Sequence, residues 1–197
     1  QVGKEFASVR NPIWLPDGKH LLVVGRLDRK ESLDWWVLPI AGGAPVRTRA
    51  FEAFGKQNLL PPPLDSVIIP NDFLPAERKL LFSATLGDST SLWQIPFKTD
   101  TYTVDGKAEQ LTSGTGVQVQ ASAAAASEGV PLIAISALTL NVDVWSLPLD
   151  PNLGTAAGAM RPLTTALSLD AWPSISADGK KLVYASYRSK QGSVVVQ

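Results

Sequence analysis

Trp172-Pro173-Ser174-Ile175-Ser176-Ala177-Asp178-Gly179-Lys180, followed by Lys181-Leu182-Val183-Tyr184-Ala185-Ser186, is the stretch that decides the fold. Two short apolar runs flank an Asp-Gly pair, and Asp-Gly supplies the positive φ angles of a tight hairpin turn. The arrangement occurs again at Ile13-Trp14-Leu15-Pro16-Asp17-Gly18-Lys19 with the run Leu21-Leu22-Val23-Val24. A looser copy reads Asp72-Phe73-Leu74-Pro75, then Lys79-Leu80-Leu81-Phe82-Ser83-Ala84, with Ala76-Glu77-Arg78 in place of Asp-Gly. A third keeps only the apolar run Pro131-Leu132-Ile133-Ala134-Ile135-Ser136-Ala137, and Ala121 to Gly129 stands where its turn belongs.

A second element follows the first three copies. It reads Trp36-Val37-Leu38-Pro39, Trp93-Gln94-Ile95-Pro96 and Trp145-Ser146-Leu147-Pro148. A third and weaker element is Gln110-Leu111-Thr112, matched by Pro162-Leu163-Thr164, with Val46-Arg47-Thr48 as the counterpart in the first unit. The tryptophans recur at roughly 50-residue intervals, and several strand-like runs fill each interval, which is the mark of a β-propeller blade. The expected fold is all-β: a propeller of four-stranded antiparallel blades, about four of them, either a partial propeller or part of a larger one. Each blade has an inner strand before the turn and a second strand buried on both faces. The third strand carries Trp-x-x-Pro, its tryptophan packing between blades and its proline ending the pairing. An outer strand ends at Leu-Thr.

The boundaries expected within this single domain, residues 1–197, are blades at 11–50, 68–113, 117–165 and 170–197, the last incomplete. Residues 1–10 read as the outer strand of a preceding or ring-closing blade. Residues 50–67 read as an insertion of one helical turn followed by an extended stretch through Pro61-Pro62-Pro63. The chain starts at Gln1, which reads as a processed or excised piece of something longer.

Composition narrows the function. Lys+Arg and Asp+Glu each number 18, and charged residues are 18% of the chain. A neutral chain with scattered basic residues offers no electrostatic case for nucleic acid or an anionic membrane. No apolar run reaches the roughly 18 residues that span a bilayer. Cysteine is absent, which excludes disulfides, thiolate zinc sites and thiol nucleophiles. Gly and Pro number 15 each and punctuate short apolar runs, as many short strands require.

These features, Asp-Gly-Lys, the apolar strand, Asp34-Trp35-Trp36 and Asp143-Val144-Trp145, and Leu-Thr, together resemble the TolB-type, WD40-like propeller repeats. The resemblance covers about residues 11–197. It is sharp in the first and fourth units and weak in the third. It implies a bacterial protein of periplasm or cytoplasm, and propellers of six or seven blades. Such propellers occur in periplasmic TolB, beside prolyl-oligopeptidase-type catalytic domains, and as sensor regions of regulators. None of these contexts makes the propeller catalytic.

No catalytic motif stands against that. His20 is the only histidine, so a Ser-His-Asp triad would depend on it, and it reads instead as a partly buried strand residue after the turn. Gly-x-Ser-x-Gly, Walker and dinucleotide loops are absent. Asp17 and Asp178 are accounted for by their turns. Asn11, Asn71, Asp72 and Asp170 lie at inner-strand entrances, where they either converge on a central channel to hold a cation or water, or bond the neighbouring backbone. The connections between second and third strands, on the usual binding face, carry Arg26, Asp28, Arg29, Asp88, Tyr187 and Arg188. Phe51 and Phe54 in the insertion either dock a partner or cover a blade edge. The structural repeat residues are Asp17, Gly18, Trp36, Trp93, Trp145, Asp178 and Gly179. The function expected is a non-catalytic binding or scaffold module with a protein or small-ligand partner, no cofactor, no metal, and self-association through exposed blade ends. The alternative is the regulatory propeller of a prolyl-oligopeptidase-type serine peptidase whose catalytic domain lies outside this chain.

Overall fold

A computed structural model describes residues 2–63, 65–74, 76, 78–114, 116–125, 131–139, 141–165, 168–187 and 192–197. The described residues are mostly strand, with several antiparallel sheets and one short helix. The chain divides into two compact units, Gln1–Leu138 and Thr139–Gln197.

The first sheet of the first unit is a four-stranded antiparallel meander of β1 (Ser8–Trp14), β2 (His20–Arg26), β3 (Asp34–Pro39) and β4 (Val46–Arg47). Ser8, Val9 and Arg10 pair with Arg26, Gly25 and Val24. They therefore belong to β1, and residues 2–7 hold no strand, where an outer strand was expected over 1–10. Phe6 folds back instead and stands edge-on to Trp36, ring centroids 5.6 Å apart. It reaches so close to β2 that a Cβ at Gly25 would lie 2.8 Å from its ring.

After β4 comes helix α1 (Ala50–Lys56), longer than the single turn expected. Arg49 enters it with φ +62. Phe54 is buried in the main core with Phe51 packed beside it, so these aromatics are structural and do not form a docking surface. The Gln57 amide bonds both backbone groups of Ala108, accepting from its N–H (2.7 Å) and donating to its carbonyl (2.9 Å). A side chain here does the work of a strand.

The second sheet of this unit holds β5 (Pro70–Leu74), β6 (Lys79–Leu86), β7 (Ser89–Lys98), β8 (Thr103–Val104), β9 (Glu109–Gln110), β10 (Val117–Ala125) and β11 (Pro131–Leu138). Strands β5, β6 and β7 form a meander with β9 on its outer edge. Pro96 does not end β7. It sits where the partner changes from β9, at Trp93 and Gln94, to β8, at Phe97 and Lys98. A missing N–H is harmless at such a changeover.

In the second unit β12 (Trp145–Ser146) pairs only with β13 (Arg161–Pro162), while β14 (Leu169–Ile175), β15 (Leu182–Tyr187) and β16 (Gly192–Val196) make a three-stranded sheet. The four-stranded sheet expected over 117–165 is thus divided: β10 and β11 join the first unit, β12 and β13 the second. Alanines at 121, 123 and 124 leave β10 little apolar area to offer.

Alternation along the strands sorts the core. Trp35 and Val37 face one way, with Leu22 and Val24, and share a cluster with Leu80, Phe82, Ala84, Trp93, Ile95 and Phe97 of the following sheet. Trp36 and Leu38 face the other way, with Val23 and Phe6. The far side of β5–β7 presents Leu74, Leu81 and Leu92 to Ala121, Ala123 and Ile133. Successive sheets of the first unit are therefore packed face against face. Both faces of β2 and β6 are buried, as expected of a second strand. In β15 only alternate residues are, namely Leu182, Tyr184 and Ser186.

The tryptophan at the Trp-x-x-Pro position is buried twice, at Trp36 (7% exposed) and Trp93 (4%). Trp145 is 51% exposed, contrary to expectation, because its strand is two residues long and the residue before it, Val144, is buried in place of the indole. In both buried cases the indole N–H donates to a carbonyl of the strand before it, Gly25 (3.0 Å) and Ala84 (3.1 Å). The adjacent Trp35, fully buried, reaches further and donates to Ile68 C=O at 2.9 Å.

Two local devices recur. At both Asp-Gly turns only the glycine takes positive φ, Gly18 at 62° and Gly179 at 70°. The aspartate works through its carboxylate: Asp17 accepts the Lys19 and His20 N–H groups (2.8 and 3.1 Å) and Asp178 the Lys180 N–H (3.1 Å). The second device is a register shift in each first strand, at Arg10/Ile13, Pro70/Asp72, Val119/Ser122 and Ala171/Ser174. At three of these bulges a non-glycine residue is left-handed, Asn11 (52°), Gln120 (58°) and Trp172 (53°).

The Leu-Thr element has a clear role. Leu111 and Leu163 N–H bond the carbonyls of Leu92 and Val144 (2.8 and 2.7 Å). The following threonine hydroxyls, Thr112 and Thr164, accept the N–H groups of the same two residues, each at 3.0 Å. In the first sheet Thr48 N–H bonds Trp35 C=O, so Thr48 occupies the leucine position, one residue from the alignment expected. The acceptor for Trp35 N–H is there the Asp34 carboxylate, at 2.8 Å.

Candidate functional site

The sequence-selected residues fall into separate groups. Arg26 ends β2, and Asp28 and Arg29 follow it in an exposed connection. Asp28 accepts the Lys30 N–H at 3.0 Å, which shapes that connection. Asp88 is the second residue of the two-residue turn between β6 and β7, where Gly87 supplies φ +64. Tyr187 ends β15 and meets the ring of Trp172 edge-on at 5.8 Å. Arg188 lies outside the described residues.

The described entrance residues differ in their surroundings. Asn11 is exposed at its bulge. Asn71 accepts a bond from the Ser83 hydroxyl at 3.1 Å. The Asp72 carboxylate accepts the N–H of its neighbour Phe73 (2.8 Å) and that of Ala123 (2.7 Å), tying β5 to β10. Asp170, in the second unit, is buried and accepts the hydroxyls of Ser168 (3.0 Å) and Ser186 (2.6 Å). Among the described residues no group of three or more His, Asp or Glu side chains is placed to hold a metal ion. Among the described residues no helix is long and apolar enough to cross a membrane.

His20 stands at the first Asp-Gly turn. Its Nδ1 lies 2.5 Å from Asp17 Oδ2, and the Tyr102 hydroxyl lies 3.2 and 3.3 Å from its two ring nitrogens. Partial burial pushes the Asp17 carboxyl up, but the Lys19 N–H, the His20 ring and the His20 N–H together outweigh it and hold it below its ordinary value. Tyr102, at φ +55 in the connection before β8, gave no signal in the sequence as a partner of His20. Leu15, Pro16, Asp17, Phe73, Arg78, Thr99 and Tyr102 line a cavity of about 290 Å³ beside it. The ring's bonds go to Asp17 and Tyr102, and no serine hydroxyl bonds it among the described residues.

Asp34 anchors the edge of the first sheet. It is fully buried and accepts Trp35 N–H (2.8 Å), Phe51 N–H (3.3 Å) and Arg47 Nε (2.7 Å). The bond to Asp34 holds the Arg47 guanidinium above its already high ordinary value, with burial acting the other way. This is a structural clamp on β4 and α1.

The end of the first sheet where β2 finishes differs in kind. Ser8, Val9, Arg10, Val24, Arg26 and Leu33 enclose about 240 Å³. Arg10 and Arg26 lie diagonally across the β1–β2 pair on one face. Of these two cations, Arg10 had not been singled out from the sequence.

No family model matches the chain, and no curated protein is detectably similar to it.

Proposed function

We propose that this chain is a segment of a TolB-type, WD40-like β-propeller and acts as a non-catalytic binding or scaffold module. The observation that carries the reading is the recurrence of one sheet plan: a bulged first strand, a turn, a doubly buried second strand and a tryptophan strand. Sheets of this kind packed face to face leave their connections free at the ends, where repeat proteins bind partners. The polar groups at these ends support binding more than chemistry: His20 is engaged by Asp17 and Tyr102, and the buried carboxylates Asp34 and Asp170 are bonded to their own surroundings.

A thermal-shift and NMR screen of peptides and small polar ligands tests the proposal. Saturable perturbations concentrated in the connections around Arg26–Lys30 or Gly87–Asp88 are the expected result. Turnover of an ester, peptide or glycoside substrate by the chain, abolished by His20→Ala, would overturn it.

A further inference from the structure

Beyond a general binding role, and resting on it, we infer that the pocket between Arg10 and Arg26 is an oxyanion site, taking the carboxylate or phosphate group of a small ligand.

The argument starts from register. Ser8 pairs with Arg26 and Arg10 with Val24, so Ser8, Arg10, Val24 and Arg26 share one face of the β1–β2 pair. Both guanidinium groups serve a pocket whose remaining walls are Ser8, Val9, Val24 and Leu33. None of those walls is acidic. Elsewhere in the first unit cations near carboxylates are paired: Arg47 with Asp34, Lys79 with Glu109 and Lys98 with Asp105. Among the described residues neither Arg10 nor Arg26 takes part in an ion pair. Arg10 bonds the Ser66 hydroxyl at 2.8 Å, and Arg26 makes one long bond to the Arg29 carbonyl at 3.4 Å.

Arg26 Nε is buried with no hydrogen-bond partner among the described residues. An arginine donor removed from solvent and left without an acceptor is the group whose energy a bound anion lowers most. Two guanidinium groups, diagonal on one face of the β1–β2 pair, line one pocket, and the planar fork of a guanidinium suits carboxylate and phosphate oxygens. The apolar walls lower the local dielectric and strengthen the attraction. The volume of about 240 Å³ admits a charged group and its immediate substituent.

The test is a titration of the whole chain, followed by backbone amide shifts, with inorganic phosphate in one arm and acetate in another. Sodium chloride at matched ionic strength is the control. The expected result is saturable shifts confined to Ser8–Arg10 and Val24–Arg26, and at least a tenfold loss of affinity in Arg26→Met and in Arg10→Met. Arg161→Met, an exposed arginine of the other unit, should bind unchanged. The arm that saturates at lower concentration identifies the oxyanion. Shifts that chloride reproduces, that spread over all arginines, or that survive Arg26→Met mean an adventitious ion only and overturn the inference. If Arg26→Met loses dispersed amide signals, Arg26→Lys replaces it, since lysine keeps the charge and loses the fork. Failure of both phosphate and acetate to saturate, beside a neutral or cationic ligand that binds elsewhere, would refute the oxyanion site and leave the binding role standing.

Discussion

Trp93 and Trp145 occupy the same place in the repeated motif, and the structure assigns them opposite energetic roles. Replacing each by alanine separates the two. A fully buried tryptophan removes about 150–250 Å² from water, which at about 25 cal/mol per Å² is roughly 4–6 kcal/mol. Trp93 is 4% exposed, so nearly all of this applies. Compactness of the unfolded chain trims it by about 10–40%, to about 3–5 kcal/mol, in the range of large-to-small core changes. Trp93→Ala also strips the Ala84 carbonyl of its indole donor. Trp145 is 51% exposed and has no such bond, so the same arithmetic leaves about 1–2 kcal/mol. The assay is urea unfolding followed amide by amide, so that each unit reports its own midpoint. Trp93→Ala should lower the first unit by at least about 2 kcal/mol more than Trp145→Ala lowers the second. If Trp93→Ala does not fold at all, Trp93→Phe, which keeps part of the aromatic area and loses the N–H, gives the smaller loss. Equal losses, or a larger loss at Trp145, would refute the assignment of which tryptophans lie between sheets.

Other expectations follow from single bonds. Arg47→Met should cost about 1–3 kcal/mol in chemical denaturation. That is less than the 3–5 of a fully buried pair, because Arg47 is 44% exposed while Asp34 is not exposed at all. Thr112→Val removes the acceptor of the buried Leu92 N–H and should cost about 1–3 kcal/mol, with Thr112→Ser restoring most of it. The Asp17 carboxyl is held below its ordinary value in the folded chain, so it stabilises above the unfolded value and that contribution is lost as pH falls through the folded one. Stability of Asp17→Asn measured by thermal melts should therefore be lower than wild type near neutrality and converge with it as pH falls through the folded value. A constant gap across that range would contradict the Asp17 assignment.

The sheet plan was legible in the sequence where local chemistry dictates it. Asp17-Gly18 and Asp178-Gly179 announce turns because glycine alone enters positive φ freely. The apolar runs at Leu21–Val24 and Leu80–Phe82 announce buried strands because nothing polar interrupts them. What was not legible depends on distance or parity. Trp35 and Trp36 are adjacent, and only pairing decides which of them faces the following sheet. Thr48 stands one residue from its expected alignment because Asp34 has taken over the capping role of the later threonines. The helix at Ala50–Lys56 is short, and tertiary burial of Phe54, rather than propensity, holds it. At the sites, Arg26 was visible as a basic residue in a connection, whereas Arg10 becomes its neighbour only through the β1–β2 register. Tyr102 meets His20 across a sequence separation of 82 residues that no local pattern encodes.

The face-to-face packing of successive sheets is tested most directly by a two-dimensional NOE spectrum of the aromatic region. The structure places the Trp35 ring 5.6 Å from Phe82 and the Trp36 ring 5.6 Å from Phe6, and so predicts Trp35–Phe82 and Trp36–Phe6 cross-peaks. A one-residue slip of β3 would turn every side chain to the opposite face. Cross-peaks from Trp36 to Phe82, or none between Trp35 and the following sheet, would contradict it.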